Sequence, residues 1–259
     1  MRDPLAFCAE ELARLDRDGL RRRVRPVQSG AGPEVIVGER RVLSLASNNY
    51  LGLATHPEVT AAAAEAASSY GVGAGSARLI AGGLGLHDEL EARLAAFKGT
   101  EDAVLFSSGY LANLGTIAAL VGRGDAVFSD ALNHASIIDG ARLSRAEVTV
   151  YDHADAGHLD DLLAGWRRSH AGERALVVTD SVFSMDGDLA PLPDLLEACR
   201  RHGAALMVDE AHATGVVGPG GRGAVAHFGL EGQVPVVMGT LSKALGAAGG
   251  FVAGSGALC

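Results

Sequence analysis

The sequence predicts an α/β protein built on a mostly parallel β-sheet that carries helices on both faces. Seven short apolar segments recur along the chain, and segments with helical apolar spacing lie between the first six. Strands that are apolar throughout are typical of a parallel sheet that is buried on both sides. Ligands of such sheets gather where the carboxyl ends of the strands meet, so polar residues that directly follow these segments are the candidates for a functional site.

The first part of the chain has a different pattern. An amphipathic helix is predicted over residues 4–20, and a hairpin over residues 35–45. A helix is then predicted from residue 56 to residue 70, with Pro57 in its first turn. A glycine-rich loop follows and leads into a further helix over residues 87–98, which ends at Gly99.

The sheet is predicted from the remaining segments. Its strands are expected at residues 103–106, 126–129, 147–151, 175–180, 205–209, 234–239 and 250–253, and the clearest helices between them at 111–121, 159–169 and 192–202. We therefore expect residues 1–46 to form an N-terminal helical arm with a hairpin, and residues 47–259 to form one large domain.

The bulk composition excludes several classes of partner. The 259 residues carry a net charge of −9 and no long basic stretch, which argues against nucleic acid. No uncharged apolar run reaches the length of about 18 residues that a membrane span requires, and the N-terminus has no signal-peptide pattern. The three cysteines are widely spaced, which is typical of a reducing compartment and of a protein without a structural metal. We therefore expect a cytoplasmic protein that binds neither nucleic acid nor membranes.

Three residues that follow predicted strands form the set of groups that pyridoxal phosphate (PLP) chemistry requires. Lys243 offers an amine for the aldehyde, Asp209 a carboxylate for the pyridinium nitrogen, and His212 an imidazole for the phenolic oxygen. Alone, each has a plainer interpretation, because a lysine after a serine is usually solvated and a strand-end aspartate often caps a helix or binds a metal. No further ligand follows at metal-binding spacing, so the set favours PLP.

Two other turns carry candidate residues. Ser108 and Gly109 join a strand to a helix, where backbone amides suit a phosphate, and Thr240 and Ser242 could add hydroxyl groups. His134 also follows a strand in a polar turn. From the residues alone, His134 is either a neighbour of a helix cap or an imidazole that stacks on a planar cofactor.

Six segments together resemble a known family. They are residues 47–53, 106–110, 133–137, 181–188, 208–215 and 240–243, and they occur in order at suitable separations. In these segments the chain is similar to the α-oxoamine synthases, which are fold-type I PLP enzymes. The resemblance runs from about residue 20 to the last residue. It implies the large domain of a fold-type I PLP-dependent transferase, without the C-terminal small domain of the family.

The resemblance implies a role for each matching residue. The implied catalytic residues are Lys243, which would hold PLP as a Schiff base and remove the Cα proton, Asp209, which would keep the ring nitrogen protonated, and His134 and His212. Further cofactor contacts are implied for His134 on the ring face, for His212 and Ser184 at the phenolic oxygen, and for Ser108, Gly109, Tyr110 and Thr240 at the phosphate. Arg21 resembles the family residue that is placed for the carboxylate of the acyl substrate.

The resemblance also implies an activity and a partner. Residues 211–216 and 218–223 favour the branch of the family that condenses L-alanine with pimeloyl-CoA or a pimeloyl-carrier protein in biotin biosynthesis, with loss of CO₂ and the thiol. Branches that use glycine or serine with another acyl-CoA stay open, as does an inactive fragment, because the family chain continues into the small domain. Family members are homodimers, so a homodimer is expected.

Overall fold

The computed structural model describes residues 3–259 and divides into two compact units, with the boundary after Leu45. The first unit contains helix α1 (Ala6–Arg17) and the antiparallel strands β1 (Glu34–Val37) and β2 (Arg40–Leu43). Gly38 takes a φ of 62°, which suits the two-residue turn between these strands. The helix and the hairpin therefore form where the apolar spacing predicts them.

The second unit begins at Ala46 and follows the predicted alternation of helices and strands. Its helices are α2 (Pro57–Tyr70), α3 (Gly85–Lys98), α4 (Gly109–Leu120), α5 (Ala135–Ser144), α6 (Ala156–Arg167), α7 (Leu192–Arg201) and the short α8 (Ala224–His227). Its strands are β3 (Asp102–Phe106), β4 (Ala126–Asp130), β5 (Glu147–Tyr151), β6 (Ala175–Asp180), β7 (Ala205–Asp209), β8 (Val236–Thr240) and β9 (Gly250–Gly254). None of the helices within residues 3–259 is long and apolar enough to cross a membrane.

The seven strands of the second unit form one sheet in the order β3-β9-β8-β7-β6-β4-β5. Strands β5, β4, β6, β7 and β8 are parallel, whereas β9 runs antiparallel to both of its neighbours. The prediction of a mostly parallel sheet is confirmed. The reversal of β9 was not predicted, and it follows from the short link between Thr240 and Gly250, because a parallel crossover needs about a dozen residues or more.

Alternate residues of the central strands pack into cores on opposite faces of the sheet. Phe128, Val177 and Val208 belong to a cluster that is covered by α6 and α7. Val127 and Met207, their neighbours in sequence, belong to a second cluster that is covered by α4 and α5. This alternation explains why the strands are apolar throughout, since both faces of each strand are buried.

Helix α5 lies between the second and third predicted strands of the sheet, where the sequence indicates a helical pattern without giving its bounds. Its sequence contains Gly140, and a glycine inside a helix usually weakens it. In the structure Gly140 faces α4, where a Cβ atom would lie 3.0 Å from Ile117 and 3.1 Å from the carbonyl oxygen of Asn113. The glycine therefore allows the two helices to pack closely, and this packing outweighs its low helix propensity.

Candidate active site

A cavity of about 270 Å³ opens at the carboxyl ends of β6, β7 and β8. Every predicted site residue of the second unit lines it: Ser108, Gly109, Tyr110, His134, Ser184, Asp209, His212, Thr240 and Lys243. Arg21 belongs to the first unit, where it pairs with Asp16 and lines a groove formed by residues of that unit. The role of Arg21 at the acyl substrate therefore stays a prediction.

The carboxylate of Asp209 is buried and held by hydrogen bonds from two directions. It ends β7, and only 3% of the residue is exposed. Its Oδ1 accepts from the backbone N–H of Ala211, and its Oδ2 accepts from Nδ2 of Asn113, each at 2.8 Å. Asn113 in turn donates to Oγ of Ser136 at 2.8 Å. Residues of β7, α4 and α5 therefore fix the orientation of this carboxylate towards the cavity.

Asp180 is a site residue that the sequence analysis missed. It ends β6 in register with Asp209 and also lines the cavity. Burial, together with the charge of Asp209, raises the pKa of Asp180 to about 8. Its Oδ2 accepts from the backbone N–H of His134 at 2.8 Å. Among the residues that the structure describes, neither carboxylate has a cationic side chain within ion-pair distance, so the cavity wall suits a cation.

Lys243 follows β8 and reaches into the same cavity. Burial lowers the pKa of its amine, although the charges of Asp209 and Asp180 oppose this shift. A lowered pKa increases the neutral fraction of the amine near pH 7, and the neutral amine is the nucleophilic form. Nζ of Lys243 lies 3.0 Å from Nε2 of His212.

His212 is held neutral by its surroundings. Burial and the nearby charges of Lys243 and His134 lower the pKa of His212 to about 4. Its Nδ1 lies 2.7 Å from the hydroxyl oxygen of Tyr50. Tyr50 stands within the resembling segment 47–53, but it was not among the predicted site residues. No local pattern marks it, because its contact with His212 joins residues that are far apart in the chain.

His134 is itself the N-cap of α5, whereas one of its two interpretations made it only a neighbour of such a cap. Its Nδ1 accepts from the backbone N–H of Ser136 at 3.2 Å and lies 2.7 Å from Oγ of Ser136, at the first turn of α5. The same imidazole lines the cavity. The cap and the cavity position are therefore compatible, and the predicted stacking on a cofactor stays a prediction.

The N-terminus of α4 faces the cavity with the predicted anion-binding residues. Oγ of Ser108 caps this helix by accepting from the backbone N–H of Leu111 at 3.1 Å. A Cβ atom at Gly250 would lie 2.6 Å from Cα of Gly109, so glycine allows the helix to begin directly against β9. Oγ1 of Thr240 lies 2.9 Å from Oγ of Ser242 and donates to the carbonyl oxygen of Gly249. Free amides of a first helical turn beside hydroxyl groups suit a phosphate.

A buried ion pair supports the loop that follows Asp209. Nζ of Lys98 lies 2.6 Å from Oε2 of Glu210, and it also donates to Oγ1 of Thr214 and to the carbonyl oxygen of Arg222, each at 2.8 Å. The side chain of Lys98 is 2% exposed and that of Glu210 is fully buried. All three protons of the ammonium group therefore have acceptors, which is the condition for a charge to be tolerated inside a protein.

In the cofactor-free protein, protonation of Asp180 should make the free energy of unfolding depend on pH. The pKa of Asp180 is about 4 in the unfolded chain and about 8 in the folded chain. At a pH between these two values, the folded chain holds a proton on Asp180 that the unfolded chain has released. The free energy of unfolding therefore falls as the pH rises through this window. In the original chain we expect the free energy of unfolding, measured with urea, to fall by about 1 to 2 kcal/mol between pH 6.5 and pH 8. In Asp180→Asn this fall should be absent.

His212 titrates in the opposite sense, because its lowered pKa makes stability fall as the pH falls from about 6.5 towards 4. Measurement above pH 6.5 therefore separates the effect of Asp180 from that of His212. Equal pH slopes for the original chain and for Asp180→Asn would contradict the prediction.

Comparison with known proteins assigns the chain to a family. Residues 40–259 match the family described as aminotransferase class I and II, and the chain belongs to this family. It is 57% identical over 253 residues to an 8-amino-7-oxononanoate synthase of Anaeromyxobacter sp. (strain K), covering 98% of this chain and 63% of that protein. The enzyme of the same name from Symbiobacterium thermophilum is 51% identical, with 97% and 64% covered. The chain thus spans less than two thirds of the length of these relatives.

Solved structures agree with the fold. A serine palmitoyltransferase from S. paucimobilis with bound PLP and myriocin has a TM-score of 0.88 and 37% identity, over 98% of this chain and 66% of that one. An 8-amino-7-oxononanoate synthase from Francisella tularensis has a TM-score of 0.69 and 30% identity, over 82% of this chain and 58% of that one. These similarities confirm the predicted large-domain fold of the fold-type I PLP transferases.

Proposed function

We propose that this chain is the PLP-binding part of an acyltransferase that condenses L-alanine with a pimeloyl thioester and releases CO₂ and the thiol. One observation carries the proposal: Lys243, whose pKa is lowered, lines the same cavity as the buried carboxylates of Asp209 and Asp180. In the described part of the chain, neither carboxylate has a cationic side chain within ion-pair distance. The curated relatives named 8-amino-7-oxononanoate synthase support the choice of reaction.

The residues of the cavity fit PLP. Asp209 and Asp180 together favour a protonated ring nitrogen, because a cation there offsets the buried charge of Asp209 and favours the ionised form of Asp180. The N-terminus of α4, with Ser108, Gly109 and Tyr110, would hold the phosphate together with Thr240. His134 would flank the ring, while His212 and Ser184 would contact its phenolic oxygen. When bound, PLP supplies an aldehyde that condenses with amines and a ring that accepts electrons from Cα.

The side chains of the cavity provide the proton transfers that the reaction needs. Lys243 accepts the proton that leaves Cα of the amino acid, and burial favours this role because it lowers the pKa of the amine. Neutral His212 offers a lone pair to the charged amine at 3.0 Å, which stabilises the proton after transfer. A bond then forms from Cα to the thioester carbonyl carbon as the carbon–sulfur bond breaks, and the departing thiolate takes a proton from the medium. Loss of the carboxyl group as CO₂ leaves an electron pair on Cα, to which Lys243 returns the proton.

A second substrate pair is favoured by the structural comparison. The serine palmitoyltransferase from S. paucimobilis has a higher TM-score to this chain than the 8-amino-7-oxononanoate synthase from Francisella tularensis. Serine with a long acyl-CoA is therefore the second candidate, and glycine with a short acyl-CoA is a third. Arg21, if it meets the carboxylate at the far end of the acyl group, favours pimeloyl over a plain fatty acyl chain. We also propose a homodimer, which analytical ultracentrifugation would test.

The first experiment tests the cofactor. The chain contains two lysines, and Lys98 is locked in its buried ion pair, so the site of a covalent adduct can be assigned without ambiguity. We expect added PLP to give a new absorbance band and, after borohydride reduction, a stable adduct on the peptide that contains Lys243. A chain that gains neither would support the interpretation as an inactive fragment.

The second experiment tests the substrates. The PLP-loaded chain is incubated with alanine, glycine or serine, each with pimeloyl-, acetyl-, succinyl- or palmitoyl-CoA, and free thiol and CO₂ are measured together. Release of both with alanine and pimeloyl-CoA alone is the expected result. Turnover with glycine alone would overturn the proposed reaction, whereas turnover with serine and palmitoyl-CoA alone would establish the second candidate.

A further inference from the structure

A line of hydrogen bonds runs from Lys243 in the cavity through His212 to the exposed side chain of Tyr50. Nζ of Lys243 lies 3.0 Å from Nε2 of His212, and Nδ1 of the same ring lies 2.7 Å from the hydroxyl oxygen of Tyr50. This hydroxyl group also donates to Oδ1 of Asn48 at 3.2 Å. Tyr50 is 44% exposed, so the line ends near solvent.

The donors and acceptors of this line can be assigned while Lys243 is charged. An ammonium group only donates, so Nε2 of His212 must accept. A neutral imidazole carries one N–H, which then lies on Nδ1 and donates to the oxygen of Tyr50. The hydroxyl group of Tyr50 can then donate to Asn48, so that each contact of the line has one donor and one acceptor.

A neutral Lys243 allows the opposite order. Its nitrogen can accept, so Nε2 of His212 can carry the proton while the hydroxyl group of Tyr50 donates to Nδ1. A hydroxyl group serves in both orders because it donates and accepts, whereas a carbonyl or a methyl group does not. Burial raises the pKa of Tyr50, which keeps this hydroxyl group protonated. The groups that face this line are the carboxylates of Asp209 and Asp180 at Lys243, and His134 at His212.

We propose that Tyr50 is a positioning residue whose hydroxyl group accepts from Nδ1–H of His212 and thereby stabilises the charged form of Lys243. The inference rests on the proposed function of Lys243. In this arrangement the tautomer of His212 follows the charge of Lys243. The order with charged Lys243 keeps one more hydrogen bond than the opposite order, because the hydroxyl group of Tyr50 then still donates to Asn48. Tyr50 does not need to touch the substrate to act, because it acts through His212.

The test uses the cofactor-free chain, with Tyr50→Phe as the variant. This change removes the hydroxyl group and keeps the ring, which lies 6.2 Å from the imidazole between centroids. Tyr70→Phe, at the end of α2 and outside this line, is the matched control. Asn48→Ala is a second variant, which removes only the last acceptor and leaves Tyr50 in place.

Two NMR measurements read the outcome. Lysine labelled with ¹³C at Cε gives two side-chain signals, because the chain has two lysines, and Lys243→Ala assigns them. We expect Tyr50→Phe to lower the pKa of Lys243 by about 0.5 to 1 unit, the size of one ordinary hydrogen bond. Labelling of the histidine ring with ¹⁵N, assigned with His212→Gln, should show the Nδ1–H tautomer in the original chain below the pKa of Lys243. Asn48→Ala should give a smaller shift in the same direction, and Tyr70→Phe none.

An unchanged pKa of Lys243 in Tyr50→Phe would overturn the inference. This result would leave the proposed function intact if PLP still formed an adduct on Lys243. A chain that binds no PLP would instead contradict the proposed function, and the NMR measurements would still decide the role of Tyr50 because they need no cofactor.

Discussion

Replacing Lys243 by alanine should abolish the covalent adduct with PLP and lower turnover by about 10³-fold or more. In the proposed function, the substitution removes both the amine that would condense with the aldehyde and the group that would take the Cα proton. Lys98 cannot replace it, because all three of its protons are held by Glu210, Thr214 and the carbonyl of Arg222. The measurements are peptide mapping after borohydride reduction and the release of thiol from the acyl donor.

Lys243→Arg is the matched control for this prediction. It keeps a positive charge near Asp209 and Asp180, but its guanidinium group stays protonated and is a poor nucleophile. We expect it to lose the adduct as Lys243→Ala does, while it retains more of the stability of the cofactor-free chain. The assignment of the adduct to Lys243 would be contradicted if Lys243→Ala still turned over substrate and formed a reducible adduct on another residue.

Replacing Lys98 by methionine should lower the free energy of unfolding by about 3 to 5 kcal/mol. The change leaves the carboxylate of Glu210 buried without its cation, and it removes the donor to Thr214 and to the carbonyl of Arg222. The backbone N–H of Val225 still donates to Glu210, which cannot balance a full charge alone. Urea unfolding of the cofactor-free chain at neutral pH measures the loss.

The double variant Lys98→Met with Glu210→Leu separates charge from packing. Removing both charges should recover part of the loss, because an apolar pair of similar volume often matches a buried ion pair. Recovery is expected to be incomplete, since the backbone N–H of Val225 loses its acceptor. A loss below about 1 kcal/mol for Lys98→Met alone would show that water or rearrangement compensates the carboxylate.

The sequence predicts the site residues well where a reactive side chain directly follows a predicted strand. Asp209, His212 and Lys243 each follow an apolar segment, and parallel strands bring their carboxyl ends together, so their meeting in one cavity is predictable. Asp180 also ends an apolar segment, but it was not among the predicted site residues. Its importance depends on its register with Asp209, which the sequence does not display.

Residues that act through distant contacts were missed for a related reason. Tyr50 meets His212, Asn113 meets Asp209, and Lys98 meets Glu210, each across more than 90 positions of sequence. Periodicity reports which face of an element is buried, but it does not report which partner lies there. The bounds of helix α5 were not predicted, and the close packing on α4 that Gly140 allows is likewise a contact between segments that the local pattern does not report.

The adjacent carboxylates of Asp180 and Asp209 have a consequence for the energetics of ligand uptake. With a pKa of about 8, Asp180 holds its proton in much of the empty protein at neutral pH. A cationic ring held in the cavity would favour the ionised form, so Asp180 would give up this proton to the medium on binding. Cofactor capture and proton release are then one coupled equilibrium. Affinity should therefore rise with pH up to about 8, and the heat of binding should vary with the ionisation enthalpy of the buffer.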